Sequence, residues 1–227
     1  METVVLSLGG SVLLKDDGPD TSYMRALSKL LIALSVKHKL YVVTGGGNIA
    51  RQYIKAGRIL GADESYLDEM GIEVTRLNAR LMIIALRDWA YHSPPKNYEE
   101  AVHAGKNHSV VVMGGVSPGI TTDAVSALVA ERVKAKRLVN ATSVDGAYTA
   151  DPKKDPDAAR IPRMSHRELV ELVGTAPHGA GPNHVFDPVG ARVLERSKIS
   201  LAIVDGRDLT NLRNAIEGKR FNGTTVD

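Results

Sequence analysis

"LYVVTGGGNIARQYI", residues 40–54, decides how this chain is read. A β-branched run stops at Gly45-Gly46-Gly47, and a helical pattern starts at once. A strand, a glycine turn and a helix start with no spacer bring backbone N–H groups close to an anion. Glycine has no Cβ to hold a ligand away, and the helix adds its positive N-terminal end.

The signature recurs. Gly9-Gly10 follows the apolar run 3–8, and Gly114-Gly115 closes the run 109–114. Further β-rich runs lie at 39–44, 137–142 and 200–205. Helical patterns fall at 21–37, 48–60, 64–90, 123–135, 165–173, 187–197 and 208–218. The terminal "NGTTVD" reads as an Asn-Gly turn into a short strand. Strands alternating with helices predict an α/β fold on a mainly parallel sheet, whose ligands sit beyond the carboxyl ends of the strands. Three glycine turns at that edge make one expected anion-binding floor. The plain alternative is three tight βα turns that need positive φ. The stretch 151–165, rich in proline and charge, is the expected mobile connection.

Composition narrows the class. Among 227 residues, 43% are hydrophobic and 24% charged, as in an ordinary globular protein. Lys+Arg 29 against Asp+Glu 26 is a slight excess spread along the chain. With only 4% aromatics it lacks the basic, aromatic-studded stripe of a nucleic-acid binder. No cysteine is present, which excludes disulfides, thiolate metal sites and a thiol nucleophile and fits a reducing cytosol. The longest apolar stretch, 27–36, is too short and polar to span a bilayer, and the N-terminus carries no signal pattern. A cytoplasmic protein without a membrane or nucleic-acid partner is expected. The N-x-Ser/Thr matches at Asn140 and Asn222 are read as chance.

Familiar catalytic patterns are absent. There is no G-x-x-x-x-G-K-[ST] loop, no G-x-S-x-G elbow and no H-E-x-x-H pair. "GGGNIA" matches a loose dinucleotide fingerprint, but Asp63, Glu64 and Asp68 fall on a helical stretch, not at the end of the next strand. Two other stretches carry chemistry. In "MGGVSPGITTDAVSALVAE" (113–131), Thr121 and Thr122 offer hydroxyls near a helix start that Asp123 would cap. In "NATSVDGAYTADPKKDP" (140–156), Asp145-Gly146, Tyr148, Asp151-Pro152 and Lys153-Lys154 read either as a turn or as a nucleotide clamp. In the clamp reading the aromatic lies beside a base or ribose, the carboxylate takes ribose hydroxyls and the lysines approach phosphates.

"SLGGSV", "VVTGGGNIARQYI", "MGGVSPGITTDAVSALVAE" and "TSVDGAYTADPKKDP", in this order and spacing, resemble the amino acid kinase superfamily. Within it the chain is most similar to uridylate kinases of the archaeal type. The likeness runs through 65–91, 186–199 and the terminal "NGTTV", and the segment Gly71–Ala79 separates uridylate kinases from carbamate, glutamate and aspartate kinases. The resemblance implies a three-layer αβα sandwich in one domain over 1–227, the acceptor half roughly 1–135 and the ATP half roughly 136–227. It implies phosphoryl transfer from ATP, with Mg²⁺, to UMP in a homohexamer. Gly9 and Gly10 would lie under the transferred phosphate, with Gly47 and Arg51 facing ATP. Thr142, Tyr148 and Asp151 would hold the ATP nucleoside. Gly46 would contact UMP, Asp68 would take its ribose hydroxyls, and Val116, Ser117, Pro118, Gly119, Ile120, Thr121 and Thr122 would wrap the uridine and its phosphate. No protein metal ligand is assigned.

The chain departs from the superfamily at one place. Many members carry a lysine two residues before the first glycine pair, where Ser7 stands here. Lys15 is the expected replacement cation, with Mg²⁺ and Arg51 as the other option, and Asp123 the expected organiser of the phosphate region. Two alternatives stay open. An isopentenyl phosphate kinase would need an apolar tunnel and a histidine near the phosphate, whereas Asp68 and Thr121-Thr122 favour a nucleotide. A non-catalytic nucleotide-binding protein on the same fold would be consistent with Ser7.

Overall fold

The computed structural model describes residues 1–150, 155–174 and 185–227. Its strands are β1 (Glu2–Leu8), β2 (Leu14–Lys15), β3 (Gly18–Pro19), β4 (His38–Thr44), β5 (Val110–Met113), β6 (Arg137–Thr142), β7 (Ala147–Tyr148), β8 (Arg160–Ile161), β9 (Arg163–Met164), β10 (Ser200–Asp205) and β11 (Thr224–Val226). Its helices are α1 (Gly10–Leu13), α2 (Thr21–Ser35), α3 (Gly47–Ile59), α4 (Glu64–Leu86), α5 (Tyr98–Asn107), α6 (Thr122–Arg132), α7 (His166–Gly174), α8 (Pro188–Ser197) and α9 (Leu209–Glu217).

Seven strands form one sheet in the order β5-β4-β1-β6-β10-β11-β9. All neighbours pair in parallel except β10 with β11. The five long strands are buried along most of their length, which is why they read as β-branched runs and not as alternating patterns. Side chains still alternate between faces. Val4, Leu6 and Leu8 of β1, with Leu40 and Val42 of β4, join a core under α2, α4 and α9. Val5, Tyr41 and Val43 join the opposite core, under α5, α6, α7 and α8. Helix, sheet and helix layers follow, as expected.

The register puts the strand ends level. Leu8 lies opposite Thr44 and Ala141, Val43 opposite Met113, and Thr142 opposite Asp205. All the turns that follow these residues therefore open on one edge.

Two sequence expectations need correction. The helical pattern 64–90 ends as an α-helix at Leu86; Arg87 takes φ 54° and Arg87–Trp89 forms a 3₁₀ turn. Helix α5 was not expected from hydrophobic spacing. It buries only Ala101, Ala104 and Gly105, and a Cβ on Gly105 would stand 1.8 Å from the Tyr41 hydroxyl. An apolar stripe made of such small residues leaves little periodic signal. A cap signal was there: Asn97 accepts from the Glu100 N–H, and Glu100 returns to the Lys96 and Asn97 ends of the turn.

Candidate functional site

The first two glycine turns touch through their backbones. A Cβ on Gly10 would lie 2.1 Å from the Gly47 nitrogen, and one on Gly45 would lie 2.7 Å from the Gly10 nitrogen. Gly47 itself takes φ 62°. No other residue type permits that approach. Helices α1 and α3 begin here, and their N-caps, Gly9 and Gly46, supply no side-chain acceptor. Helices α2, α4, α5, α6, α8 and α9 are capped by Asp20, Asp63, Asn97, Thr121, Asp187 and Asp208, and α7 by the Ser165–Glu168 box. Among the described α-helices, only the two at the shared glycine turns have no side-chain cap at all. Such helix starts favour an anion.

The third turn differs from the sequence expectation. The Gly115 N–H donates to Thr75 Oγ1 at 2.7 Å, and a Cβ on Gly114 would meet that same hydroxyl at 2.4 Å. These glycines let α4 approach the sheet, so the third turn spends its Gly115 N–H inside the protein and does not join the first two. Helix α4 holds both later turns. Asn78 Nδ2 donates to the Gly45 carbonyl at 2.8 Å, Thr44 Oγ1 donates to the Thr75 carbonyl at 2.9 Å, and Arg76 Nε donates to the Gly115 carbonyl at 3.2 Å. The segment Gly71–Ala79, distinctive in the sequence, is thus a clamp on the turns. The roles of Thr75, Arg76 and Asn78 were not foreseen, although their motif was.

Asp123 sits in the first turn of α6, and the cap of that helix is Thr121, whose hydroxyl accepts from the Ala124 N–H. The capping expectation for Asp123 is therefore corrected. Its carboxylate instead accepts from Ser7 Oγ at 2.7 Å, across 116 residues of sequence. Burial raises its pKa from 3.8 to about 6; the Ser7 hydrogen bond opposes that rise and the nearby Asp187 charge adds to it. Asp187 caps α8 through Val189 and Gly190 and also accepts from Thr121 Oγ1 at 2.9 Å, tying the α6 and α8 starts together. Farther out, Asp68 Oδ2 accepts from the Gly119 N–H at 2.7 Å and fastens the loop that carries Val116, Ser117, Pro118 and Ile120.

Next to the two glycine turns lies a cleft of about 520 Å³. Lys15 and Arg51, expected from sequence, line it with Ser11 and Asn48; Ser143, Asp205 and Arg207 close it from the other half of the chain. Lys15 is committed to Asp20 at 2.9 Å, while neither Arg51 nor Arg207 makes an ion pair among the described residues. Sequence reading missed Asp205 and Arg207, yet the signal was the familiar one of a strand end followed by glycine, Gly206. Thr142 ends β6 beside this cleft, and its carbonyl accepts from the Gly206 N–H at 2.8 Å. Tyr148 does not line the cleft. Its hydroxyl donates to Asp145 at 2.7 Å, and Arg160 donates to the same carboxylate at 2.9 Å. The Tyr148 bond and Arg160 hold Asp145 below the usual carboxylate range. Asp145, a carboxylate of the clamp stretch, therefore has internal partners. Asp151, Lys153 and Lys154 lie outside the described residues.

No group of three or more His, Asp or Glu residues suited to a metal occurs among the described residues. No helix of the described chain is long and apolar enough to cross a membrane.

The sequence profile of the amino acid kinase family matches residues 2–205. A uridylate kinase of Methanospirillum hungatei is 47% identical over 227 residues, covering 100% of this chain and 95% of that protein. One from Methanoculleus marisnigri is 48% identical, covering 100% and 96%. The crystal structure of uridylate kinase from Archaeoglobus fulgidus superposes with a TM-score of 0.89 at 43% identity, covering all of both chains. With a family match over most of its length and relatives aligned from end to end, the chain belongs to the amino acid kinase family.

Proposed function

We infer that this chain is a nucleoside monophosphate kinase that transfers the γ-phosphate of ATP to UMP, giving ADP and UDP. The observation that carries the reading is the end-to-end identity of 43–48% with archaeal proteins named uridylate kinases, together with two uncapped helix starts meeting beside one cleft that Lys15, Arg51 and Arg207 line.

The chemistry asks little covalent work of the protein. A UMP phosphate oxygen, already ionised, attacks the γ-phosphorus in line while the bond to the β-bridging oxygen breaks and ADP leaves. No general base is needed. The task is to bring two anions together, which calls for oriented donors and cations. Gly9, Gly10 and Gly47 with Arg51 are assigned to the ATP phosphates, Thr142, Tyr148 and Asp151 to its nucleoside, and Gly46, Asp68 and residues 116–122 to UMP. The contact between the 9–10 and 45–47 turns supports this, because it sets the two phosphate-binding backbones side by side. Asp123, bonded to Ser7 at the end of β1, organises the phosphate region. Lys15 already shares its charge with Asp20 and keeps further donors for a phosphate. Mg²⁺ enters as part of the ATP substrate, carried by phosphate oxygens and water; magnesium keeps several waters and needs few protein ligands. The acceptor half, roughly 1–135, and the ATP half, roughly 136–227, would face each other across the cleft, which takes lining residues from both.

A homohexamer in the cytoplasm completes the reading. Exposed apolar side chains support self-association: Leu77 is 59% exposed, Ile84 70% and Trp89 51%, beside a groove of about 720 Å³ between α2 and α4.

The test is ADP release from Mg·ATP with UMP, CMP, dTMP, AMP and isopentenyl phosphate offered separately. Turnover on UMP well above the others is expected. Turnover on another acceptor would discard the uridine assignments, and binding of UMP without any turnover would replace the kinase with a nucleotide-binding protein.

A further inference from the structure

The cleft holds a cation that the function above leaves without a task. Arg207 follows β10 directly, and the short turn that carries it is fixed at three points. The Gly206 N–H donates to the Thr142 carbonyl at 2.8 Å, the Tyr23 hydroxyl donates to the Gly206 carbonyl at 2.5 Å, and the Arg207 N–H donates to Asp205 Oδ1 at 2.9 Å. A Cβ on Gly206 would stand 2.9 Å from that of Ala141 and 3.0 Å from Val12, so the turn is packed down onto β6 and α1. A long side chain on so constrained a base loses less freedom when it binds.

The guanidinium is aimed by one further bond. Nη2 donates to the Ser11 carbonyl at 3.0 Å, inside the first turn of α1, one residue past the Gly9-Gly10 pair. A guanidinium has five N–H donors, and this bond uses one. No described carboxylate forms an ion pair with the rest. The cleft is lined by three cations and two carboxylates, Asp16 and Asp205; Lys15 is paired with Asp20, while Arg51 on the α3 side and Arg207 on the β10 side form no ion pair among the described residues. Their guanidinium groups, on walls contributed by different halves of the chain, suit a polyanion lying between them.

We propose that Arg207 is a phosphate-binding residue of the donor site, pairing with the triphosphate of ATP opposite Arg51. The inference rests on the kinase reading for the identity of the anion. Its chemical content is a forked cation held against α1, with free donors turned to a charged oxygen. Arg207 also braces the Ser11 carbonyl, and a brace alone would need no charge.

Arg207→Gln separates the two roles, because the glutamine amide can still donate to a carbonyl while the charge is lost. We expect the melting temperature and the KM for UMP to stay near the parent's. The value of kcat/KM for Mg·ATP should fall by about 100-fold, the scale seen when one preorganised donor to a charged transition state is removed. In Arg207→Ala, added ethylguanidinium should restore part of the lost rate, while uncharged N-ethylurea, which can also donate to the Ser11 carbonyl, should not. Binding of a non-hydrolysable Mg·ATP analogue, measured without acceptor, should weaken in Arg207→Gln whichever acceptor proves correct, so this proposal and the UMP assignment fail separately. The proposal is overturned if Arg207→Gln binds the analogue and turns over ATP within about threefold of the parent, a change too small for a charged contact. It is equally overturned if its losses track a fall in melting temperature with no rescue by ethylguanidinium.

Discussion

The turns at 45–47 and 114–115 have the same appearance in the sequence, a β-rich strand running into consecutive glycines, and serve opposite ends. At 45–47 the glycines admit another backbone, that of Gly10, and the helix that follows has no side-chain cap. At 114–115 they admit a helix, and the Gly115 N–H is already bonded to Thr75. A glycine turn marks close approach; what approaches is a property of the tertiary fold. In the first case the Gly45 N–H pairs with the Leu8 carbonyl while those of Gly46 and Gly47 have no partner among the described residues; in the second the Gly115 N–H is consumed by a side chain.

Substitutions can break this contrast. The largest effect belongs to Gly10→Ala, since the added methyl meets the main chain of Gly47 at 2.1 Å and backbone cannot swing aside. Loss of about 3 kcal/mol or more, or failure to accumulate folded protein, is expected on thermal or urea unfolding. Asp123→Asn comes next and touches the bond that joins the strand before the first turn to the helix after the third. Turnover should drop by about 100-fold, the scale of losing one organising group in a charged site.

The same variant should be more stable than the parent at pH 8. With its pKa raised from 3.8 to about 6, Asp123 keeps its proton in the folded state over a range where the unfolded chain has released it. Parent stability therefore falls as pH climbs through that window and is level above it. The asparagine escapes that loss, so the two melting curves should coincide near pH 4 and separate at pH 8. Equal separation at both values would contradict the buried carboxylate.

Thr75→Val sharpens the contrast from the other side. It strands the Gly115 N–H and should cost about 1–3 kcal/mol of stability, measurable by denaturant titration. The KM for ATP should hold, because the third turn is outside the phosphate floor. The smallest effect is expected for Gly115→Ala, whose methyl would stand 3.0 Å from the Ile72 side chain, which can shift. About 1 kcal/mol is the expected loss. A change in ATP affinity in either of these two variants would return the third turn to the anion site.

Much of the architecture was legible because its causes are local. The five long strands follow from β-branched runs, and seven of the helices from their periodicity, with ends displaced by no more than four residues. Their alternation gave the parallel sheet, and parallel pairing put every strand's carboxyl end on one edge. Gly9-Gly10 and Gly45–Gly47 were found by the same logic, whereas Arg51 and Lys15 came from the family resemblance. Helix α5 escaped because its buried face is alanine and glycine, and the third turn misled because its sequence matches that of the second.

What the sequence by itself determined was the set of elements and the kind of backbone at their ends, since propensity, period and glycine act over a few residues. Only the tertiary structure decided which groups are partners: Ser7 with Asp123, Thr75 with Gly115, Asp68 with Gly119, and Arg207 with Ser11, 196 positions before it. The physical reason is distance along the chain. A hydrogen bond between residues so far apart leaves no pattern in either neighbourhood and exists only once the sheet has brought their strand ends level.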